Sequence, residues 1–311
     1  MTLGQLSAFV LVARLGSVTD AARALGVSEP AVSQALAALR QQHGDKLIVR
    51  TAAGMTLTAG GKRLLPIASR MVALGADAEA AVRRANGVAE PLRVAVTSTI
   101  AEFVASPLLE AFGKRTGGVE VSSGLAKVGE MPVLVANRLA DAALGPRLDD
   151  PELDSVPVFR CALVVVGSPR RPPSGNPAGW QWRVDPSGTD ADSAAARLLR
   201  GLGVPDANIE VFTNQTAAWA ATASGGGASI AIEHLVAPQL RRHELAVVPT
   251  PLTPMPLCWH VTTPARERCS VAAASLRHFL GTPGAMQVMR SPGSGVPPSR
   301  FRPPVFVTIW S

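Results

Sequence analysis

A chain of 311 residues has room for two or three domains, and 47% apolar residues supply sizeable cores. Tyrosine is absent and aromatic residues make up only 4%, so aliphatic side chains must fill those cores. The net charge of +7 is uneven. Residues 1–90 hold ten Lys/Arg against six Asp/Glu, 91–280 hold seventeen of each, and 281–311 hold three Arg and no acid; a basic front on a neutral body fits a nucleic-acid module joined to another unit.

The first element is an amphipathic helix over 2–15, with Leu3, Leu6, Val10 and Ala13 at three- and four-residue steps beside Phe9. Its apolar run "LSAFVLVA" has no basic residue before it and reads as a helix, not a signal peptide. "GS" at 16–17 breaks it. A short helix over 19–25 ends at Gly26. A third helix starts at Ser28, a good N-cap, with Pro30 in the first turn, where its missing N–H costs nothing. Val32, Leu36 and Leu39 form its inward face, and Glu29, Ser33 and Ala37 an exposed strip with Pro30 and Gln34 beside it. Two short helices joined by "GVS" describe a helix-turn-helix. "DKLIVRTAAGMTLT" then reads as a hairpin wing turning at Ala53-Gly54 and carrying Lys46 and Arg50.

Residues 58–86 read as one long helix capped by Thr58. Leu64, Ala68, Met71, Gly75, Ala78 and Val82 step as a heptad seam, which points to dimerisation through this helix. "NGVAEP" at 86–91 is a linker. Beyond it, strands "LRVAVT", "VEVSSG", "DAALG", "ALVVVG", "IEVFT", "ASIAI" and "LCWHVTT" alternate with helices at about 100–115, 131–139, 190–201, 215–224 and 270–280. That alternation implies a parallel α/β sheet in two lobes, joined by crossing strands and separated by a cleft. From 281 the chain is dominated by Pro, Gly and Ser and is expected to be disordered. The resulting division is 1–58, a winged helix-turn-helix; 59–90, a linker helix and hinge; 91–280, a two-lobed domain; and 281–311, a tail. Three cysteines, Cys161, Cys258 and Cys269, show no C-x-x-C pattern and fit a reducing cytoplasm. No apolar run reaches the ~18–20 residues of a membrane span.

"LGQLSAFVLVARLGSVTDAARALGVSEPAVSQALAALRQQHGDKLIVRT" and "MTLTAGGKRLL" resemble the winged helix-turn-helix of LysR-type transcriptional regulators. The likeness runs ungapped through 1–66 and continues more loosely to about 280, through "RLADAALG" and "TNQTAAWAATASGGGASIAI". It implies a cytoplasmic, DNA-binding, usually tetrameric regulator whose effector domain resembles periplasmic binding proteins. Such proteins bind a small molecule in the cleft and change how their dimers bend promoter DNA. No cofactor is implied.

In the major groove each base pair shows a distinct donor and acceptor pattern. Gln34 suits adenine or guanine, Ser33 a base or phosphate, and the Pro30 ring a thymine methyl. Thr19, Ser28 and Thr58 are placed for phosphates, as are Lys46, Arg50 and Thr51 on the wing. Glu29 stands where the family usually has glutamine. It either accepts from cytosine N4 or only stabilises the helix start through the dipole. Thr97, Ser98 and Thr99 follow the first strand of the two-lobed domain, where α/β ligands gather. Thr213, Asn214 and Thr216 repeat the arrangement in the second lobe, and Lys127 and Arg147 add positive charge. Together they predict a small carboxylate or similar oxyanion as effector.

Catalysis finds little support. His43, His234, His243, His260 and His278 show no metal-ligand spacing. "GASIA" half-resembles a nucleophile elbow, but that motif needs a strand before Ser229 and a helix after it, and here the order is reversed. The competing reading is a small-molecule-binding or catalytic α/β protein that uses its front domain only to dimerise.

Overall fold

A computed structural model describes residues 1–51, 54–86, 91–116 and 119–292. The front unit is built from α1 (Leu3–Leu15), α2 (Val18–Leu25), α3 (Glu29–His43) and the antiparallel hairpin β1 (Ile48–Thr51) and β2 (Gly54–Leu57). Thr2 begins α1 with a reciprocal capping box to Gln5. Ser17 caps α2 by accepting from the Asp20 N–H at 3.1 Å, one residue earlier than the sequence start at 19. Gly26 ends α2 at φ 66°, a left-handed conformation that gives the tight turn into α3. Phe9, Leu6, Ala21, Val32, Leu36 and Leu39 close the core beneath these helices. The wing's loop at 52–53 lies outside the described residues.

Asp45 ties the wing to the next helix. Its carboxylate accepts from the Leu47 N–H at 2.7 Å and the Thr58 hydroxyl at 2.8 Å. Those bonds, the Leu47 N–H first, hold its carboxyl below the usual aspartate range. A depressed folded pKa stabilises the native state above the ordinary value of about 3.9 and ceases to do so as pH falls through the lower, folded value. Asp45→Asn should therefore lower the melting temperature at pH 7. Its gap to the native protein should narrow below about pH 4, as followed by circular dichroism.

α4 (Ala59–Ala85) runs 27 residues despite Pro66, which forfeits one intrahelical bond. Its orientation corrects the seam. Leu64, Ala68 and Val72 pack inward on the front core, and a Cβ on Gly75 would come 2.7 Å from Leu3 Cδ1. The apolar stripe left exposed is rotated around the helix: Ile67, Met71, Leu74, Ala78 and Val82. Periodicity finds a stripe but not which of two adjacent faces the neighbouring helix takes.

Beyond residue 90 the elements are β3 (Leu92–Val96), α5 (Ser98–Ile100), which passes through a π-turn at Ala101–Ala105 into α6 (Ser106–Arg115), β4 (Val121–Leu125), α7 (Met131–Ala136) and β5 (Ala142–Gly145). β6 (Leu153–Gly167), β7 (Trp182–Val184), α8 (Ala194–Gly201), β8 (Ile209–Val211), α9 (Gln215–Gly225), β9 (Ala228–Ile232), α10 (Glu233–Arg241), β10 (Ala246–Val247), β11 (Met255–Pro264), α11 (Val271–Leu280) and α12 (Pro283–Arg290) follow. Among the described residues the strands form one sheet in the order β4-β3-β5-β11-β6-β9-β7-β8, with β10 on β6.

The sheet is mixed rather than wholly parallel. β4, β3 and β5 are parallel in the first lobe, and β9, β7 and β8 in the second. The long β11 and β6 cross between lobes and run antiparallel to every neighbour. The sequence missed the first half of β6, where Asp154, Ser155 and Pro157 look unlike a strand. Pairing with β11 imposes the extended form there.

The expected disorder from 281 is corrected in part. Thr282 caps α12, Pro283 occupies its first turn, and Ala285 and Met289 are fully buried against the core that holds Phe112, Phe279 and Leu280. His234 Nε2 lies 3.1 Å from the Met289 carbonyl oxygen. Averaging composition over the whole tail hid the apolar face of this eight-residue helix. Residues 293–311 lie outside the described residues.

Candidate functional site

The candidate residues fall on two surfaces. On the first, Val32 is sealed in the core while Glu29, Pro30, Ser33, Gln34 and Ala37 all stand exposed on α3. Ser28 caps the helix by accepting from the Ala31 N–H at 3.4 Å. Thr19, Lys46, Arg50 and Thr51 are exposed around this face, and the Thr51 hydroxyl donates to the Gly54 carbonyl across the wing. The Thr58 hydroxyl is engaged on both sides, accepting from the Gly61 N–H at 3.0 Å and donating to Asp45. Capping is therefore its observed role.

Arg40 escaped the sequence reading. Its guanidinium donates to the carbonyls of Lys46 at 2.9 Å and Ile48 at 3.1 Å, bracing the wing against α3. An arginine one turn before a helix end gave no sign of reaching back to a strand eight residues on.

Glu29 carries a testable consequence. A carboxylate at the helix start accepts from cytosine N4, whereas glutamine offers both an acceptor and a donor. If Glu29 reads a base, selection of binding sites from random DNA with Glu29→Gln returns a consensus altered at one position per half-site. An unchanged consensus means that Glu29 serves only the helix start.

The second surface is a cleft of about 860 Å³ between the lobes, within the size range of small-molecule sites. Thr97, Leu125, Ala126 and Gly145 line it at or just past the carboxyl ends of β3, β4 and β5, the ligand position of α/β sheets. Trp259 and His260 of β11 also line it. Ser98, Thr99, Lys127 and Arg147 lie on its wall. Thr97 makes no side-chain capping bond. The Ser98 hydroxyl is already taken: it donates at 2.6 Å to Asp185, a buried carboxylate of the second lobe that also accepts from the Ser187 hydroxyl at 2.6 Å. Arg147 pairs with Asp149 at 2.9 Å, both well exposed.

Thr213, Asn214 and Thr216 are not brought to the cleft. Asn214 caps α9 by accepting from the Ala217 N–H at 2.8 Å. The first N–H groups of α9 are filled from within the chain: Glu102 of the first lobe accepts from the Gln215 and Thr216 N–H groups at 2.8 and 2.9 Å, and from the Thr216 hydroxyl at 2.5 Å. The helix start does bind a carboxylate, but the protein's own. The second lobe faces the cleft instead through 186–197, with Asp190, Asp192, Ser193 and Arg197, and through Gln215. The sequence had no signal for this, because the segment between β7 and α8 is mostly loop.

Residues 3–62 match the family model described as bacterial regulatory helix-turn-helix protein, lysR family, and residues 85–282 match that of the LysR substrate binding domain. The chain is 35% identical over 322 residues to an uncharacterised HTH-type transcriptional regulator of Mycobacterium tuberculosis, covering all of both proteins. To the HTH-type transcriptional regulator CfxR of Cupriavidus necator it is 30% identical over 292 residues, covering 90% of this chain and 91% of that one. A full-length AphB variant shares the fold at a TM-score of 0.58 and 16% identity, over 90% of this chain and 98% of that one. LysG of Corynebacterium glutamicum with its effector arginine bound shares it at a TM-score of 0.52 and 21% identity, over 90% and 97% of the two chains.

Proposed function

This chain belongs to the LysR family of transcriptional regulators, and from that premise we propose that α3 reads promoter DNA while the cleft between the lobes takes a small anionic effector. The protein is a regulator with a helix-turn-helix and an effector-binding domain, not an enzyme. The carrying observation is the start of α3: every polar position from Glu29 to Gln34 is exposed, while Val32, Leu36 and Leu39 seal the core.

Gln34, Ser33, Pro30 and Glu29 are the base-reading residues in this account, each base contact discriminating by about 1–3 kcal/mol. Thr19, Ser28, Lys46, Arg50 and Thr51 hold phosphates and set register and salt dependence. Residues 1–58 form the DNA-binding unit, 59–90 the linker, and 91–290 the effector domain with α12 included. The stripe of Ile67, Met71, Leu74, Ala78 and Val82 is the homodimer seam, from which a tetramer can be assembled. The protein works in the cytoplasm, where promoter DNA is; among the described residues no helix is long and apolar enough to cross a membrane.

Thr97, Thr99 and Lys127 are the groups that favour an anion in the cleft, with Arg147 and Arg197 on the rim. Ser98 contributes if a ligand displaces Asp185. Titrating small carboxylates and uncharged analogues of the same size against the protein on DNA upstream of its own gene tests this. The expected result is a shift in DNA affinity or bending with carboxylates. A response to uncharged compounds alone would overturn the anionic reading.

A further inference from the structure

The helix-turn-helix unit does not stand apart from the cleft. Arg23, on α2, lines the cleft beside Lys127 of the loop after β4. Four charges interleave at that seam. Lys127 Nζ lies 3.5 Å from Asp20 of α2, and Arg23 pairs with Asp20 along its own helix. Glu130 Oε1 is shielded from solvent and has no hydrogen-bond partner. It faces Arg23 Nη1 at 3.5 Å and Lys127 Nζ at 4.0 Å. The same loop reaches the second lobe, where the Val128 N–H donates to Asp190 at 3.0 Å.

We propose that the DNA-binding unit supplies one wall of the effector site, with Arg23 as the residue that recruits an anion to the mouth of the cleft. The proposal rests on reading the cleft as the effector site. Arg23 keeps 44% of its side chain exposed, and a guanidinium has five donors, so partners at Asp20 and Glu130 leave donors for an incoming carboxylate. Lys127, about half exposed, adds a second cation at the same opening. A ligand gripped by both binds the arrangement in which α2 docks on the first lobe better than any arrangement in which it does not. By linkage it favours docking by that difference in affinity. The effector then acts on the DNA-binding unit directly.

Cys258 lines the cleft and provides the probe. Burial, reinforced by Cys258, pushes the neighbouring Cys161 thiol up to about 12, so it stays protonated and unreactive near neutral pH. Cys269 is half-buried outside the cleft lining and serves as reference. The full-length protein is treated with a sulfonatoethyl and a trimethylammonioethyl methanethiosulfonate at low salt, and modification is followed peptide by peptide by mass spectrometry. Arg23→Gln should lower the anionic-to-cationic rate ratio at Cys258 by at least about threefold and leave Cys269 unchanged. Arg23→Lys should restore most of the ratio. Arg14→Gln, which removes the same charge from the same unit outside the cleft, should leave it intact. An unchanged ratio in Arg23→Gln, an equal fall in Arg14→Gln, or a Cys258 that neither reagent reaches would overturn the proposal. Neither DNA nor effector enters the experiment, so its failure leaves the anionic effector reading standing, and the failure of that reading leaves this charge effect intact.

Discussion

Leu74→Glu is expected to convert the protein to a monomer at micromolar concentration. Leu74 is 66% exposed on α4, at the middle of the stripe from Ile67 to Val82. Among the described residues nothing else covers that stripe, although Ala68 and Val72 on the adjoining face are buried against the front unit. If two copies meet there, each glutamate loses its hydration against apolar side chains. The penalty is several kcal/mol per ion after relaxation. The dimer dissociation constant should then rise at least about a hundredfold, since 1.4 kcal/mol is tenfold. Because each copy would engage one half-site alone, affinity for the full site should fall with it. Sedimentation velocity of the native protein and the variant reads the effect. The native mass persisting in Leu74→Glu would place the seam elsewhere.

Phe9→Ala should abolish DNA binding while leaving the effector domain folded. Phe9 is fully buried at the centre of α1, in the cluster that also holds Leu6, Val32, Leu36 and Leu39. Emptying such a site costs about 3–5 kcal/mol. A front unit of some sixty residues has a total stability of the same order. α3 owes its position to this cluster, so the reading face is lost before any exposed residue changes. The cluster reaches Met131 and Leu134 of the first lobe, but the larger effector-domain core around Phe112, Trp219 and Val261 and the second-lobe core around Trp182, Val184 and Leu198 are separate from it. Thermal unfolding with separate probes for the two units should show the first transition lowered or absent and the later one within a few degrees of native.

The helix-turn-helix was legible because local signals agree there. Capping serines, a left-handed glycine and a three-to-four apolar step all point to one geometry at Ser17, Gly26, Ser28 and Val32. The strands of each lobe were legible for the same reason, as short apolar runs between turns. What failed depended on partners distant in sequence. Asp185 reaches Ser98 across 87 residues, and Glu102 reaches Thr216 across 114. No local pattern reports that a carboxylate already occupies a helix start. The antiparallel course of β6 and β11 likewise follows from pairing across about a hundred residues. The side of α4 that packs was hidden because its two adjacent faces are both apolar. Arg23 was overlooked because on its own helix it looks like a solvated arginine paired with Asp20.

Fluorescence anisotropy of the full-length protein on DNA from upstream of its own gene, across a salt series, tests the central claim most directly. With Lys46 and Arg50 from two copies on phosphates, the logarithm of affinity should fall with the logarithm of salt at a slope of about −4 or steeper, and Arg50→Gln should make that slope shallower by about 2. Gln34→Ala should weaken binding to this DNA by roughly 5- to 150-fold per half-site, with little effect on unrelated DNA. Affinity that ignores salt, or that is equal for native protein and Gln34→Ala on both DNAs, would contradict the assignment of α3 as the element that reads the promoter.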